Sequence, residues 1–154
     1  FRNFFSLNFI KKPIYNAFIL AGKFGENLLE SSACEENQTV IATKDKDGKL
    51  IFSLTYAAPE LCETLEPKEQ KIRIEGIGAG EKQVTVWTID PEHTNPYAVA
   101  KKKGYPEKLN AEQIEELRAV GILKPQTLTV QAENSLELTL KLLPNSVHLI
   151  EVEN

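Results

Sequence analysis

The sequence contains few residues of the kinds that carry metal, redox or nucleophilic chemistry. It has no methionine, one tryptophan, two histidines and two cysteines among 154 residues. A zinc site needs three or four ligands at compatible spacing, and His93, His148, Cys34 and Cys62 are scattered singly along the chain. We therefore expect no metal site and no cofactor. The two cysteines allow one disulfide without implying it.

A thiol enzyme is one alternative for the function. Cys34 or Cys62 with His93 would supply the nucleophile and the base that such an enzyme needs. No flanking motif supports this pairing. His148 lies in a predicted strand, where a histidine is more often a half-buried packing residue than a catalytic one.

Neither sign of charge is in large excess. The formal net charge is −4, and charged residues make up 26% of the chain. The basic run Lys101-Lys102-Lys103 is too short to follow a phosphate backbone, so we expect no nucleic-acid partner. No apolar run approaches the ~20 residues that span a bilayer, so we expect no membrane partner.

The length suits one domain, or one domain plus a fragment of another. The first seven residues, without a methionine, are typical of the interior of a longer polypeptide, so we expect a fragment. Pro13 and Gly25 predict a helix over residues 13–24, because proline favours the first helical turn and glycine follows the last. Its apolar residues recur at helical spacing and predict one apolar face, which must lie on something: Ile14, Ala17, Phe18, Ala21 and Phe24.

From residue 38 onward the apolar period changes to two. Asp47-Gly48 between two such runs predicts a hairpin, and residues 135–142 place four leucines on one face and polar residues on the other. Seven short strands separated by turns predict an antiparallel β-sandwich. The predicted strands are residues 38–43, 49–57, 70–75, 82–90, 126–131, 135–142 and 146–152.

A two-helix insertion, residues 91–123, is predicted between the fourth and fifth strands. Pro96 opens a short helix that Gly104 ends. Asn110 with Gln113 forms a capping box for a second helix, which Gly121 ends.

Two other motifs are predicted to be turns. Asp45-x-Asp47-Gly48 has the start of a calcium loop, but Tyr56 stands where that loop needs a bidentate glutamate. Gly76-x-Gly78-x-Gly80 has the wrong spacing for a dinucleotide site and leads into a strand rather than a helix.

The segment Asp90-Pro91-Glu92-His93-Thr94-Asn95-Pro96-Tyr97 allows two interpretations. In the first, Asp90 starts a bend, Thr94 or Asn95 caps the next helix, and His93 is incidental. In the second, the side chains reach a polar ligand or a neighbouring domain. The ligand or domain-interface candidates are Asp90, His93, Asn95 and Tyr97.

This segment resembles the loop Asp-x-x-His-Ser/Thr-Asn-x-Tyr in the C-terminal sandwich of family 39 glycoside hydrolases, the group of the β-xylosidases and α-L-iduronidases. Gly104-Tyr105-Pro106 and Gln113 also match the family pattern, as does the strand with Pro144 and Ser146. Residues 12–18, Lys-Pro-Ile-Tyr-Asn-Ala-Phe, resemble the last helix of the family's catalytic (β/α)8 barrel. The Trp that the family often carries after the loop is absent from Ala98-Val99-Ala100.

The resemblance implies that residues 1–30 are a remnant of the barrel and that residues 31–154 form a β-sandwich accessory domain. A glycosidase needs two carboxylates about 5–10 Å apart, but the family's Asn-Glu-Pro motif has no match here. The resemblance therefore implies a non-catalytic domain supporting a barrel, with both glutamates of a retaining enzyme outside this sequence. Expected partners are that barrel and, through the N-terminal helix, a second copy. The alternative is a free-standing carbohydrate-binding or protein-interaction sandwich.

Overall fold

The computed structural model describes residues 4–33, 35–58 and 64–153. Both cysteines lie outside the described residues, so the disulfide and the thiol enzyme remain untested. Within the described part there are three helices and eight strands in two antiparallel sheets, so the predicted mainly-β sandwich is confirmed.

The elements follow the predicted order, with one addition. The helices are α1 (Pro13–Ala21), α2 (Pro96–Lys102) and α3 (Ala111–Val120). The strands are β1 (Asn27–Leu29), β2 (Gln38–Lys44), β3 (Leu50–Tyr56), β4 (Lys68–Glu75), β5 (Gly80–Ile89), β6 (Gln126–Ala132), β7 (Ser135–Leu142) and β8 (Ser146–Glu153).

Strand β1 was missed because three residues are too few to show a periodic pattern. It pairs with β2, with Leu28 opposite Thr43. It lies before the predicted boundary at residue 30, so the segment predicted to be a barrel remnant contributes a strand to the larger sheet. The division at residue 30 stays a prediction.

The larger sheet has the strand order β1-β2-β3-β8-β5-β6, and β4 and β7 form the second sheet. The side chains between the sheets form the main core, which includes Phe52, Val84, Leu136 and Ile150. As predicted, Leu136, Leu138 and Leu142 of β7 are buried, while Glu137 is exposed. The period-two pattern therefore identified the packed face correctly.

Helix α1 covers the opposite face of the larger sheet. Leu20 is 2% exposed and packs with Ile51, Ile89 and Leu149. Asn16 is also buried, and its Nδ2 donates to the Gly121 carbonyl at 2.9 Å, which ties α1 to the end of α3. A buried polar side chain therefore helps to fix the position of α1 relative to α3.

The predicted apolar face of α1 is only partly correct. Ala17 and Phe24 pack on the sheet, but Ile14 is 47% and Phe18 62% exposed. The helix ends at Ala21 rather than at residue 24. Nearly all residues of this short helix are apolar. Helical spacing therefore could not distinguish the buried side from the exposed side, and the predicted face combined residues of both.

The turns behave as predicted. The Asp45 carboxylate accepts the N–H groups of Asp47 and Lys49, both at 2.9 Å, and Gly48 has φ 88°. The capping box of α3 is present, with Asn110 and Gln113 bonded reciprocally. Gly76 and Gly78 also have positive φ, of 72° and 73°, a backbone conformation that glycine adopts without steric cost.

Candidate functional site

The carboxylate of Asp90 closes the loop that follows β5. It accepts the N–H of Glu92 at 2.7 Å and the N–H of His93 at 2.6 Å, and the His93 Nδ1 lies 2.9 Å away. The Asp90 N–H donates in turn to the His93 carbonyl at 3.0 Å. Asp90 is only 3% exposed. A buried carboxylate is costly unless its oxygens are hydrogen-bonded, and here its own loop satisfies them.

Thr94 and Asn95 complete the entry into α2. Thr94 has φ 57°, and its hydroxyl donates to the Thr88 carbonyl at 2.9 Å. The Asn95 side chain accepts the Ala98 N–H at 3.2 Å, so Asn95 rather than Thr94 is the helix cap. The capped-turn interpretation therefore describes Asp90 and Asn95.

The other two candidates, His93 and Tyr97, face solvent. The His93 side chain is 52% exposed and Tyr97 is 73% exposed. Tyr97 and the outer side of the His93 ring are accessible to a ligand or another domain, although the His93 Nδ1 is paired with Asp90. Asp90 and Asn95 accept backbone N–H groups instead. A role for any of the four in binding stays a prediction.

His148 lies beside this loop, a proximity that the sequence did not predict. It sits opposite Thr88 in the β5–β8 ladder and is 3% exposed. Its Nδ1 lies 3.2 Å from the Thr88 hydroxyl, and its Nε2 lies 3.2 Å from the Ser146 hydroxyl. Knowing that β5 pairs with β8 would have revealed this contact, but strand pairing cannot be read from periodicity.

Burial lowers the pKa of His148 from its ordinary 6.5 to about 4. The negative charge of Asp90 acts in the opposite direction, and His93 adds to the lowering. Desolvation disfavours the imidazolium, so His148 is neutral at physiological pH.

These side chains line a cavity of about 230 Å³ at one end of the sandwich. Its polar lining includes Thr88, Asp90, Glu92, His93, Lys141 and His148. Both ring nitrogens of His148 and the Asp90 carboxylate already have partners. Among the described residues, no group of three or more histidine, cysteine or acidic side chains is arranged to hold a metal ion.

The two carboxylate residues that are buried in the described structure, Asp90 and Glu151, lie on opposite sides of the larger sheet. Asp90 lines the cavity between the sheets. Glu151 neighbours Ile51 in the sheet and pairs at 2.8 Å with Lys23, whose Nζ also lies 4.5 Å from the centroid of the Trp87 ring. These two groups cannot flank a single glycosidic bond.

No helix of the described residues is long and apolar enough to cross a membrane.

Comparison with known proteins gives matches over most of the chain. The model for Glycosyl hydrolases family 39 matches residues 2–136. The chain is 29% identical over 149 residues to a β-xylosidase of Caldicellulosiruptor saccharolyticus, a match that covers 94% of this chain and 30% of that protein.

Solved structures share the fold. The GH39 enzyme of Xanthomonas axonopodis pv. citri has a TM-score of 0.75 at 18% identity, and the match covers 94% of this chain and 31% of that one. A monomeric β-xylosidase of Caulobacter crescentus CB15 has a TM-score of 0.74 at 18% identity, covering 98% of this chain and 32% of that one. The chain thus spans about a third of the length of these proteins.

Proposed function

Because the chain belongs to glycosyl hydrolase family 39, we propose that it is the C-terminal accessory part of such an enzyme, with no catalytic activity of its own. In this proposal residues 1–30 belong to a catalytic (β/α)8 barrel, and residues 31–154 form a sandwich that supports it. The complete enzyme hydrolyses O-glycosidic bonds.

The exposed apolar side of α1 is the observation that carries this proposal. Ile14 and Phe18 are 47% and 62% exposed, and Phe4, itself 45% exposed, packs its ring 5.3 Å from that of Phe18. We call Phe4, Ile14 and Phe18 the α1 surface. Contiguous exposed apolar side chains usually mark an interface, and a barrel would cover this one.

The arrangement of the acidic groups supports a non-catalytic role. A retaining glycosidase holds its two carboxyl groups about 5 Å apart. Asp90 is occupied by its own loop and Glu151 by Lys23, on opposite sides of the sheet. In this proposal neither buried carboxylate is the acid/base or the nucleophile, and both catalytic groups come from outside this sequence.

The matched relative is named a β-xylosidase, which suggests xylosides as the substrates to try first. We expect the purified 154-residue chain to release no product from chromogenic xylosides, while an active family 39 β-xylosidase assayed alongside does. Turnover that copurifies with the chain and survives removal of contaminants would contradict the non-catalytic role.

The coding sequence upstream of Phe1 gives a second test. We expect it to encode a barrel with two glutamates at strand ends, where barrel enzymes place catalytic groups. An upstream sequence that encodes no barrel would contradict the accessory role, even if the chain is inactive.

A free-standing carbohydrate-binding sandwich is the alternative, and exposed Tyr97 is the observation that favours it. Trp87 is a poorer candidate for stacking on a sugar, because Lys23 and the α1 side of the core already pack against it. Saturable binding of xylo-oligosaccharides by calorimetry, lost in Tyr97→Ala or Trp87→Ala with the fold intact, would favour this alternative.

A further inference from the structure

We propose that the outer edge of β6 is a self-association surface, at which two copies of this chain pair β6 with β6 antiparallel about a two-fold axis. The edge lies on the sandwich and does not involve the α1 surface, so the inference does not depend on the proposed function. Within the described structure, β6 ends the larger sheet and pairs only with β5.

The composition of β6 sets it apart from the other strand edges. Its seven residues, Gln-Thr-Leu-Thr-Val-Gln-Ala, carry no charge. Edge strands expose unpaired N–H and C=O groups, and proteins usually protect them with charges or by keeping them short. Strand β4 carries five charged residues of eight, and β7 has Glu137 and Lys141. The edge strand β1 has only three residues.

Exposure along β6 indicates that its first four residues are poorly covered on both sides, whereas Ala132 at its end is buried. Its first four residues and Gln131 are exposed, and Val130 is half-buried. Leu128 is 40% exposed, although its neighbour Val84 in β5 is completely buried. The second sheet covers the Val130 and Ala132 end of β6 but leaves Leu128 partly exposed, and an added strand would cover this apolar side chain.

The side chains fit an antiparallel pairing of the strand with itself. A two-fold axis through Leu128 places it opposite its own copy, Thr127 opposite Thr129, and Gln126 opposite Val130. Residues opposite one another then point to the same side of the sheet, as the pleat requires. Threonine pairs are favourable cross-strand neighbours, and each Leu128 side chain would remove apolar surface of the other from water.

The charged residues that flank β6 favour pairing with a second copy of this chain over pairing with an unrelated strand. Exposed Lys124 precedes β6 and exposed Glu133 follows it. Antiparallel pairing brings the Lys124 end of one copy beside the Glu133 end of the other, at both ends of the contact. An arbitrary extended peptide would supply this double complementarity only by chance.

Sedimentation analysis of the full 154-residue chain at increasing concentration tests the proposal. We expect a reversible monomer–dimer equilibrium. Leu128→Lys would place two ammonium groups across the axis and raise the dimer dissociation constant roughly tenfold or more, while the midpoint of urea unfolding stays close to that of the parent chain. Leu28→Lys, at a leucine of β1 that is 77% exposed, is the matched control and leaves the equilibrium unchanged.

Charge reversal gives an independent measurement. Lys124→Glu or Glu133→Lys alone would weaken the dimer, and the double reversal would restore it. A chain that stays monomeric throughout, or a double reversal that fails to rescue, overturns the proposal. Loss of the dimer in Phe18→Lys but not in Leu128→Lys also overturns it and assigns self-association to the α1 surface.

Discussion

The carboxylates of Asp90 and Asp45 make the same kind of hydrogen bond but differ in burial. Each carboxylate accepts two backbone N–H groups of its own turn, but only Asp90 is deeply buried and also pairs with an imidazole. Both turns could be predicted, because an aspartate before a turn can satisfy nearby N–H groups locally. The burial of Asp90 could not be predicted, because it depends on where β5 ends within the sandwich.

His148 leads to a prediction about pH. Its pKa is lowered from 6.5 to about 4 in the native state, so between these pH values the unfolded state binds more protons than the native state. The free energy of unfolding therefore falls as the pH falls through this window, by at most about 3 kcal/mol from this residue. Urea unfolding at pH 7.5 and pH 4.5 would measure the loss.

The matched variants for this prediction are His148→Gln and His93→Gln. The first removes the buried titrating ring, so its loss of stability between the two pH values is expected to be smaller than that of the parent chain. The second changes a half-exposed ring and is expected to retain most of the loss. Equal losses in His148→Gln and in the parent chain would contradict the assignment.

The strands illustrate how well local pattern works at the scale of an element. The predicted and observed limits of β7 are identical, and those of β2 and β8 differ by one residue at one end, because alternation and turn residues both mark these strands. Strand β1 has no such marks. It forms because Asn27, Leu28 and Leu29 lie beside the edge of β2. This placement is decided by the tertiary structure and not by the local sequence.

Gly25 lies where α1 is joined to the sheet, and it leads to a prediction about that junction. Its N–H donates to the Thr43 hydroxyl at 2.9 Å, and a Cβ built there would meet the Lys44 carbonyl carbon at 2.4 Å. Gly25→Ala must therefore displace backbone, and we expect it to cost about 1–3 kcal/mol of unfolding free energy. Thermal or urea unfolding would measure this cost.

Gly22→Ala is the control for Gly25→Ala. Its added Cβ would lie 3.5 Å from the nearest carbonyl oxygen, an ordinary contact, and the backbone φ is −68°. We expect a change within about 0.5 kcal/mol. Similar costs at both glycines would mean that the close approach at Gly25 is absent.

For the whole molecule, the two sides of α1 predict contrasting effects. Leu20 is 2% exposed in the core between α1 and the sheet, whereas Phe18 is 62% exposed. Leu20→Ala is expected to lower the unfolding free energy by about 2–5 kcal/mol. Phe18→Ala is expected to lower it by no more than about 1 kcal/mol in this chain, the size of the contact between its ring and that of Phe4, as measured by urea unfolding.

The comparison between these variants also bears on the proposed barrel. If a barrel covers the α1 surface, Phe18→Ala costs more unfolding free energy in the longer polypeptide than in this chain. A cost of about 2 kcal/mol or more in the 154-residue chain would mean that Phe18 packs in the core of this chain, and the α1 surface would no longer indicate a missing partner.

The sequence by itself determined the strands from β2 to β8 and the insertion with its caps, because turn residues, capping residues and apolar period are local properties. The family was indicated separately, by the resemblance of the loop from Asp90 to Tyr97, and the family match confirms it. The tertiary structure alone decided which strands are neighbours, and so brought His148 to the Asp90 loop. It also decided which side of α1 is buried and left the β6 edge open. These outcomes depend on contacts between residues far apart in the chain, which no local pattern encodes.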